Sequence, residues 1–191
     1  GFTRLLGKLS ELTDRGIPVH FFGGNHDIWT YRYLHDECGV TLYHSPYTEF
    51  ELDGRKVIVG HGDMLGPRPA GQRILSAIFR SRLLQWLFSM LHPYWAMMLG
   101  KGWSRSNRTS RPVAHIFRGE EEPIIPSAPA DLFICGHTHC AEVYPLPEGG
   151  AVAFLGEWID NPLYGVLGPG GFELKGYPDR AVIGKSGTTR Q

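Results

Sequence analysis

The chain is poor in cysteine, has no excess of charge and contains no long apolar run. Its three cysteines, Cys38, Cys135 and Cys140, are odd in number and show no framework spacing. They fit a reducing compartment better than a secreted disulfide scaffold. Nineteen basic residues balance nineteen acidic ones, so no global field draws nucleic acid, and no such partner is expected. No apolar stretch approaches the ~20 residues of a membrane span. The chain also does not open on methionine. Phe2, Leu5, Leu6, Leu9 and Leu12 recur at helical spacing and Gly16 follows as a stop. This helix feeds a buried-strand pattern at 19–22. A helix entering a strand is the second half of a βαβ unit. The chain is therefore expected to be a fragment that lacks its N-terminal part.

What is present is a set of three short runs of one character. They are Gly24-Asn25-His26-Asp27, Gly60-His61-Gly62-Asp63 and Gly136-His137-Thr138-His139. Each puts a metal-ligand side chain directly after glycine, and each follows an apolar run that reads as a strand. Four of the nine histidines lie in them. Carboxamide oxygen and imidazole nitrogen together suit a divalent cation. Glycine before the ligand permits a tight turn and a close approach of backbone. Ligands at several strand ends meet at one edge of a sheet. In a loop, His137 and His139 can diverge towards two metals. A dinuclear centre is a standard way to hydrolyse a phosphate ester or anhydride, because two ions neutralise the phosphoryl oxygens and activate water. His20, His35, His44, His92 and His115 read as structural or surface residues.

The remaining pattern is α/β in one domain spanning 1–191. A helix is expected within 28–37, and 48–59 reads as a hairpin with an Asp53-Gly54 turn. Buried strands are expected at 131–135 and 151–155. From about Tyr177 onward the tail is expected to fray. Residues 67–118 differ from the rest. They are rich in Arg, Trp, Leu and Met, show no strand pattern, and place Leu83, Leu84, Leu87, Phe88 and Leu91 at helical spacing. Two readings are open for this insertion: a helical layer packed on the core, or an amphipathic lid that touches lipid or an acyl chain.

The GNHD, GHGD and GHTH runs, in this order, resemble the last three motifs of the calcineurin-like metallophosphoesterases. That resemblance implies a four-layer α/β/β/α sandwich of two mixed sheets flanked by helices. It implies that Asn25, His61 and His137 hold one metal and that His139 holds the other. His26 would contact the phosphate, and Asp27 would orient His26 from behind. The family's Asp-x-His and Gly-Asp motifs do not occur before the first run. With them absent, the chain as given is expected to fall short of a complete dinuclear centre.

The insertion narrows the resemblance. His61-Gly-Asp-Met-Leu-Gly-Pro, Gln85-Trp-Leu-Phe, Leu91-His-Pro, Trp103-Ser-Arg and the late Leu155-Gly-Glu-Trp158 segment are similar to UDP-2,3-diacylglucosamine hydrolases in a Bacteroidetes-like form. These are pyrophosphatases of lipid A biosynthesis. The resemblance implies cleavage of UDP-2,3-diacylglucosamine to UMP and 2,3-diacylglucosamine 1-phosphate, with two divalent ions, Mn foremost. It implies that 67–118 is a helical lid over the acyl chains. Arg105, Arg108 and Arg111 become candidates for diphosphate or sugar contacts, since a planar guanidinium suits bidentate phosphate binding. A cytoplasmic location, peripheral on the inner membrane, follows from a lipid-linked nucleotide substrate without a span. Two alternatives stay open: a metallophosphoesterase for another phosphodiester or nucleotide, and a non-catalytic scaffold that keeps the fold.

Overall fold

The computed structural model describes residues 2–24, 27, 32–62, 78, 81–106, 130–146 and 149–186, with backbone alone at 93, 101 and 103–106. The first helix, α1 (Thr3–Asp14), follows the leucine spacing. It ends where expected. Gly16, at φ +74°, donates to Thr13 O at 2.9 Å, and Ile17 donates to Leu12 O at 3.0 Å. This pair of bonds is a Schellman closure, which needs a left-handed residue after the cap. Strand β1 (His20–Phe22) follows, then α2 (Tyr33–Cys38) and β2 (Thr41–Tyr43). Strands β1 and β2 pair in parallel. The Thr13 hydroxyl donates to Cys38 O at 2.7 Å, fastening α1 to α2. Helix α2 lies within the expected 28–37 region apart from its last residue; residues 28–31 are outside the described part.

Strands β3 (Tyr47–Leu52) and β4 (Arg55–Gly60) form the expected hairpin. Its two turn residues, Asp53 at φ +51° and Gly54 at φ +69°, are both left-handed. That is the I′ geometry, whose twist matches the flanking strands. Strands β5 (Leu132–Cys135), β6 (Ala141–Pro145) and β7 (Ala151–Leu155) complete a five-stranded sheet in the order β3-β4-β5-β7-β6. Strands β4, β5 and β7 run parallel, and the two edge strands run antiparallel to their neighbours. Parallel strands covered on both faces read as unbroken apolar runs, and here the faces alternate strictly. Val57, Leu132, Ala151 and Ala153 belong to one core. Their sequence neighbours Ile58, Phe133, Val152 and Phe154 belong to the other.

The first of these cores also contains Leu163, Phe172 and Leu174. They come from β8 (Leu163–Gly168) and β9 (Gly171–Gly176), which pair with β10 (Val182–Ser186) in an antiparallel sheet. Two sheets thus pack face to face, the inner pair of layers of a mixed α/β fold. Arg55 ties the sheets at one end by donating to Gly168 O at 2.8 Å and Pro169 O at 2.9 Å. The parallel pair β1–β2 sits beside edge strand β3 through an aromatic cluster. Phe22 stacks on Tyr43 at 4.7 Å, and Phe50 meets both edge-on.

Strand β10 corrects the expectation of a fraying tail. It reads Val-Ile-Gly-Lys-Ser, and Glu173 on β9 accepts from both Lys175 (2.9 Å) and Lys185 of β10 (2.6 Å). Gly184 lets the strand close on β6, because a Cβ there would stand 3.0 Å from Val143 Cγ2. Cross-strand pairing and one small residue hold this short segment as a strand. Residues 187–191 lie outside the described part. Within 67–118 the structure describes α3 (Arg82–Ser89), α4 (Pro93–Ser106) and residues 78, 81 and 90–92, all without strand. Among the described residues no helix is long and apolar enough to cross a membrane.

Candidate functional site

Strands β4, β5 and β7 are parallel, so their carboxyl ends lie at one edge of the sheet. There the chain must turn away, and ligands of open α/β sheets bind at such edges. His61 follows β4 directly, His137 follows β5 by one glycine, and Glu157 follows β7 by one glycine. The end of β1 arrives at the same place. Gly24, two residues beyond β1, lies so near that a Cβ on it would stand 2.7 Å from His61 Cε1. Glycine is required there for space. It lets the first run press its backbone against the imidazole of the second.

The leading histidines of the second and third runs meet. His137 Nδ1 lies 3.2 Å from His61 Nε2, with the rings edge-on at 5.1 Å. Gly136 N–H donates to His61 O at 3.0 Å, so the two loops are joined by backbone as well. Gly62, at φ +94°, brings the chain within 3.1 Å of Cys135 Cβ as measured from a Cβ built on it. Two nitrogens bound to one ion at ~2.0–2.1 Å stand roughly 2.9 Å apart at a right angle and roughly 3.4 Å apart at the tetrahedral angle. The observed separation falls between, so the pair fits a shared divalent ion.

The GHTH loop is strained. His137 and His139 both adopt left-handed backbone, at φ +67° and +58°. Each such non-glycine residue costs on the order of 1–3 kcal/mol and persists only where its surroundings enforce it. Here the buried Thr138 between them is the enforcing element. Its side chain is only 6% exposed, and its N–H donates to Gly136 O at 2.8 Å. With Thr138 turned into the protein, both histidines project to the exposed side.

Asp27 closes the first run. Its carboxylate accepts from Gly24 N–H at 2.9 Å, and its own N–H donates to Gly24 O at 3.0 Å. These bonds tie Asp27 back to Gly24. Asn25, His26, Asp63, Arg108 and Arg111 lie outside the described residues, and Arg105 falls within α4, where only backbone is described. Among the described residues no group of three His, Cys, Asp or Glu side chains converges. Of the expected ligands, His61 and His137 are brought together.

Glu157 carried no assigned role in the sequence, yet the geometry places it in the site. Ala141 of β6 pairs with Leu155 of β7. The ladder ends there, since His139 at φ +58° and Gly156 at φ +76° leave the strand conformation, and the two adjoining strand ends bring His139 within electrostatic reach of Glu157. Its carboxylate accepts from the N–H groups of Ile159 (2.5 Å), Asp160 (3.0 Å) and Asn161 (2.7 Å). The bond from Ile159, then those from Asn161 and Asp160, hold this carboxyl below the usual glutamate range, and His139 adds to the effect. A signal was present: Gly156-Glu157 is a fourth glycine-led run at a strand end. Cys135, by contrast, is a core residue. Burial pushes its thiol up to about 12, which keeps it protonated and unreactive.

No family model matches the chain. Curated relatives do. The UDP-2,3-diacylglucosamine hydrolase of Porphyromonas gingivalis is 32% identical over 187 residues, covering 87% of this chain and 71% of its own length. The enzyme of that name from Vibrio parahaemolyticus is 26% identical over 179 residues, covering 90% of this chain and 74% of its own. That from Histophilus somni is 25% identical, and the chain spans 66% of its length. A solved structure of Vps29 with zinc from Entamoeba histolytica covers 80% of this chain and 71% of its own at 13% identity, but with a TM-score of 0.32, too slight a likeness to carry weight.

Proposed function

Because the chain belongs to the UDP-2,3-diacylglucosamine hydrolase family, we propose that it hydrolyses the pyrophosphate of UDP-2,3-diacylglucosamine to UMP and 2,3-diacylglucosamine 1-phosphate. The observation that carries this reading is the facing His61–His137 pair at the carboxyl ends of β4 and β5. It supplies two nitrogen donors at a spacing that one ion can share. When bound, divalent ions such as Mn would supply Lewis acidity and an activated water for attack at phosphorus. His61, His137 and Asn25 would hold one ion, and His139 would serve the other.

The chain's own residues then have separable tasks. Asp27 would position His26, which would stabilise charge on the phosphoryl oxygens or protonate the leaving oxygen. Arg105, Arg108 and Arg111 would grip the diphosphate or sugar. The segment 67–118 would form a lid for the acyl chains. Supporting that reading, Leu83, Met90 and Trp95 expose 58–66% of their surface on α3, α4 and the turn between them. Apolar side chains exposed together on one helical segment fit a face that binds a ligand. Contact with the cytoplasmic face of the inner membrane would follow from the lipid substrate.

The test is release of UMP from UDP-2,3-diacylglucosamine by the purified protein at its natural length, with Mn2+. Release is expected, to be abolished by a chelator and restored by added Mn2+. Absence of UMP release under those conditions would sink the reading. Hydrolysis confined to a soluble phosphodiester would point to a phosphoesterase of other specificity. Binding of Mn2+ without any hydrolysis would point to a scaffold.

A further inference from the structure

Beyond Glu157 the chain builds a second feature that the hydrolytic chemistry does not use. Trp158 and Tyr177 stack at 5.6 Å between centroids with 29° between planes. Each is 59% exposed. Such a pair would ordinarily move freely in water, but this one is fixed from both sides. The Trp158 indole N–H donates to Leu163 O, and Tyr177 N–H donates to Pro162 O at 2.9 Å. The intervening loop is bound to the Glu157 carboxylate by three backbone N–H groups. One face of each ring lies on its partner and the indole edge is tied, so the exposure that remains is an outer aromatic face.

We infer that Trp158 and Tyr177 form a rigid platform at the rim of the site, on which the nucleobase of a nucleotide substrate stacks. The inference rests on the proposed function and names where its nucleotide half binds. Position supports it. Trp158 lies three residues past the end of β7, and His139 lies two residues before β6, whose Ala141 pairs with Leu155 at that same end. A nucleobase is one ribose removed from its phosphate, so a base on this platform leaves the phosphate near the histidines. Chemistry supports it too. A flat, fixed pair complements a planar heterocycle, whereas an acyl chain is held by a groove and gains little from one flat face. Stacking on aromatic side chains needs no hydrogen-bond code, since every base presents a π-face. The rings are already ordered in the fold, so binding does not carry the entropic cost of ordering them.

Calorimetry with Mn2+-loaded protein compares UMP with ribose 5-phosphate, which has the phosphate but no base. Wild type is expected to bind UMP about tenfold more tightly, and Trp158→Ala to lose that difference while Trp158→Phe retains most of it. In turnover of UDP-2,3-diacylglucosamine, Trp158→Ala should raise KM about tenfold more than it lowers kcat. Tyr177→Ala, which leaves the Pro162 backbone bond in place, should follow in the same direction and provides the reading if Trp158→Ala does not fold. Equal affinity of wild type for UMP and ribose 5-phosphate would overturn the platform. So would a variant that weakens binding of 2,3-diacylglucosamine 1-phosphate instead of UMP. So would an equal loss of turnover on an aliphatic phosphodiester, which carries no planar ring. A wild type that releases no UMP from the lipid nucleotide, yet binds UMP through Trp158, would separate failure of the functional reading from failure of this one.

Discussion

Strand β7 and helix α3 are both apolar words in the sequence, Ala-Val-Ala-Phe-Leu at 151–155 and Leu-Leu-Gln-Trp-Leu-Phe at 83–88. Their fates are opposite. Residues 151–154 are at most 3% exposed, while Leu83 is 64% and Trp86 57% exposed. In α3 the burial is inverted, for the polar Gln85 is the residue turned inside. Burying one large apolar side chain is worth about 1.5–3 kcal/mol. In β7 that gain is committed to folding, and it fixes the strand ends where the histidines stand. In α3 and α4 it is left uncollected by the fold. The sheet fixes the positions of the strand-end histidines, and the helical segment keeps exposed apolar side chains, the face we propose for the acyl chains.

This contrast breaks most sharply at the sheet end. His137→Ala removes one of the two facing nitrogens. It should lower UMP release about 10³-fold or more, with Mn2+ affinity falling alongside, as read by steady-state assay and metal titration. Activity within tenfold of wild type would mean that the pair is structural. The next effect tests rigidity itself. Gly24→Ala would set a methyl 2.7 Å from His61 Cε1, so the imidazole must shift. A displacement near 1 Å should cost about 10²-fold in kcat with little change in Tm. Wild-type turnover in that variant would show that the edge of the sheet tolerates movement and that the contrast with the helices is overstated.

How much of this was legible depends on the range of the interactions. The hairpin at 47–60 could be read because its signals are local: alternation, and an Asp-Gly pair suited to left-handed backbone. The strand-end histidines could be read because glycine before a ligand is a local signature as well. Strand β10 could not, since what orders it is distant: Glu173 across the ladder and Val143 on another sheet. Glu157 was missed for the same reason. Its nearness to His139 comes from the pairing of β6 with β7, which no local pattern announces, although Gly156 before it repeats the signature. The left-handed backbone at His137 and His139 was likewise invisible, because it is enforced by burial of Thr138, a tertiary fact.

The smallest expected effect lies on the helical side, and it decides whether the two regions differ in kind. If the exposed face of α3 were core, Leu83→Ser and Met90→Ser would create cavities and cost roughly 2–5 kcal/mol each. If it is a ligand face, each should stay within about 0.5 kcal/mol of wild type in denaturant unfolding, as surface changes do. The loss would appear in binding instead. KM for UDP-2,3-diacylglucosamine should rise, up to about tenfold for one apolar side chain, while hydrolysis of a soluble diester without acyl chains should be nearly unaffected. The decisive quantity is thus the ratio of the two substrates' kcat/KM values, which cancels any general loss of active protein. An unchanged ratio together with a lowered midpoint would place α3 with the sheet as structural core, and the division of labour between the two regions would disappear.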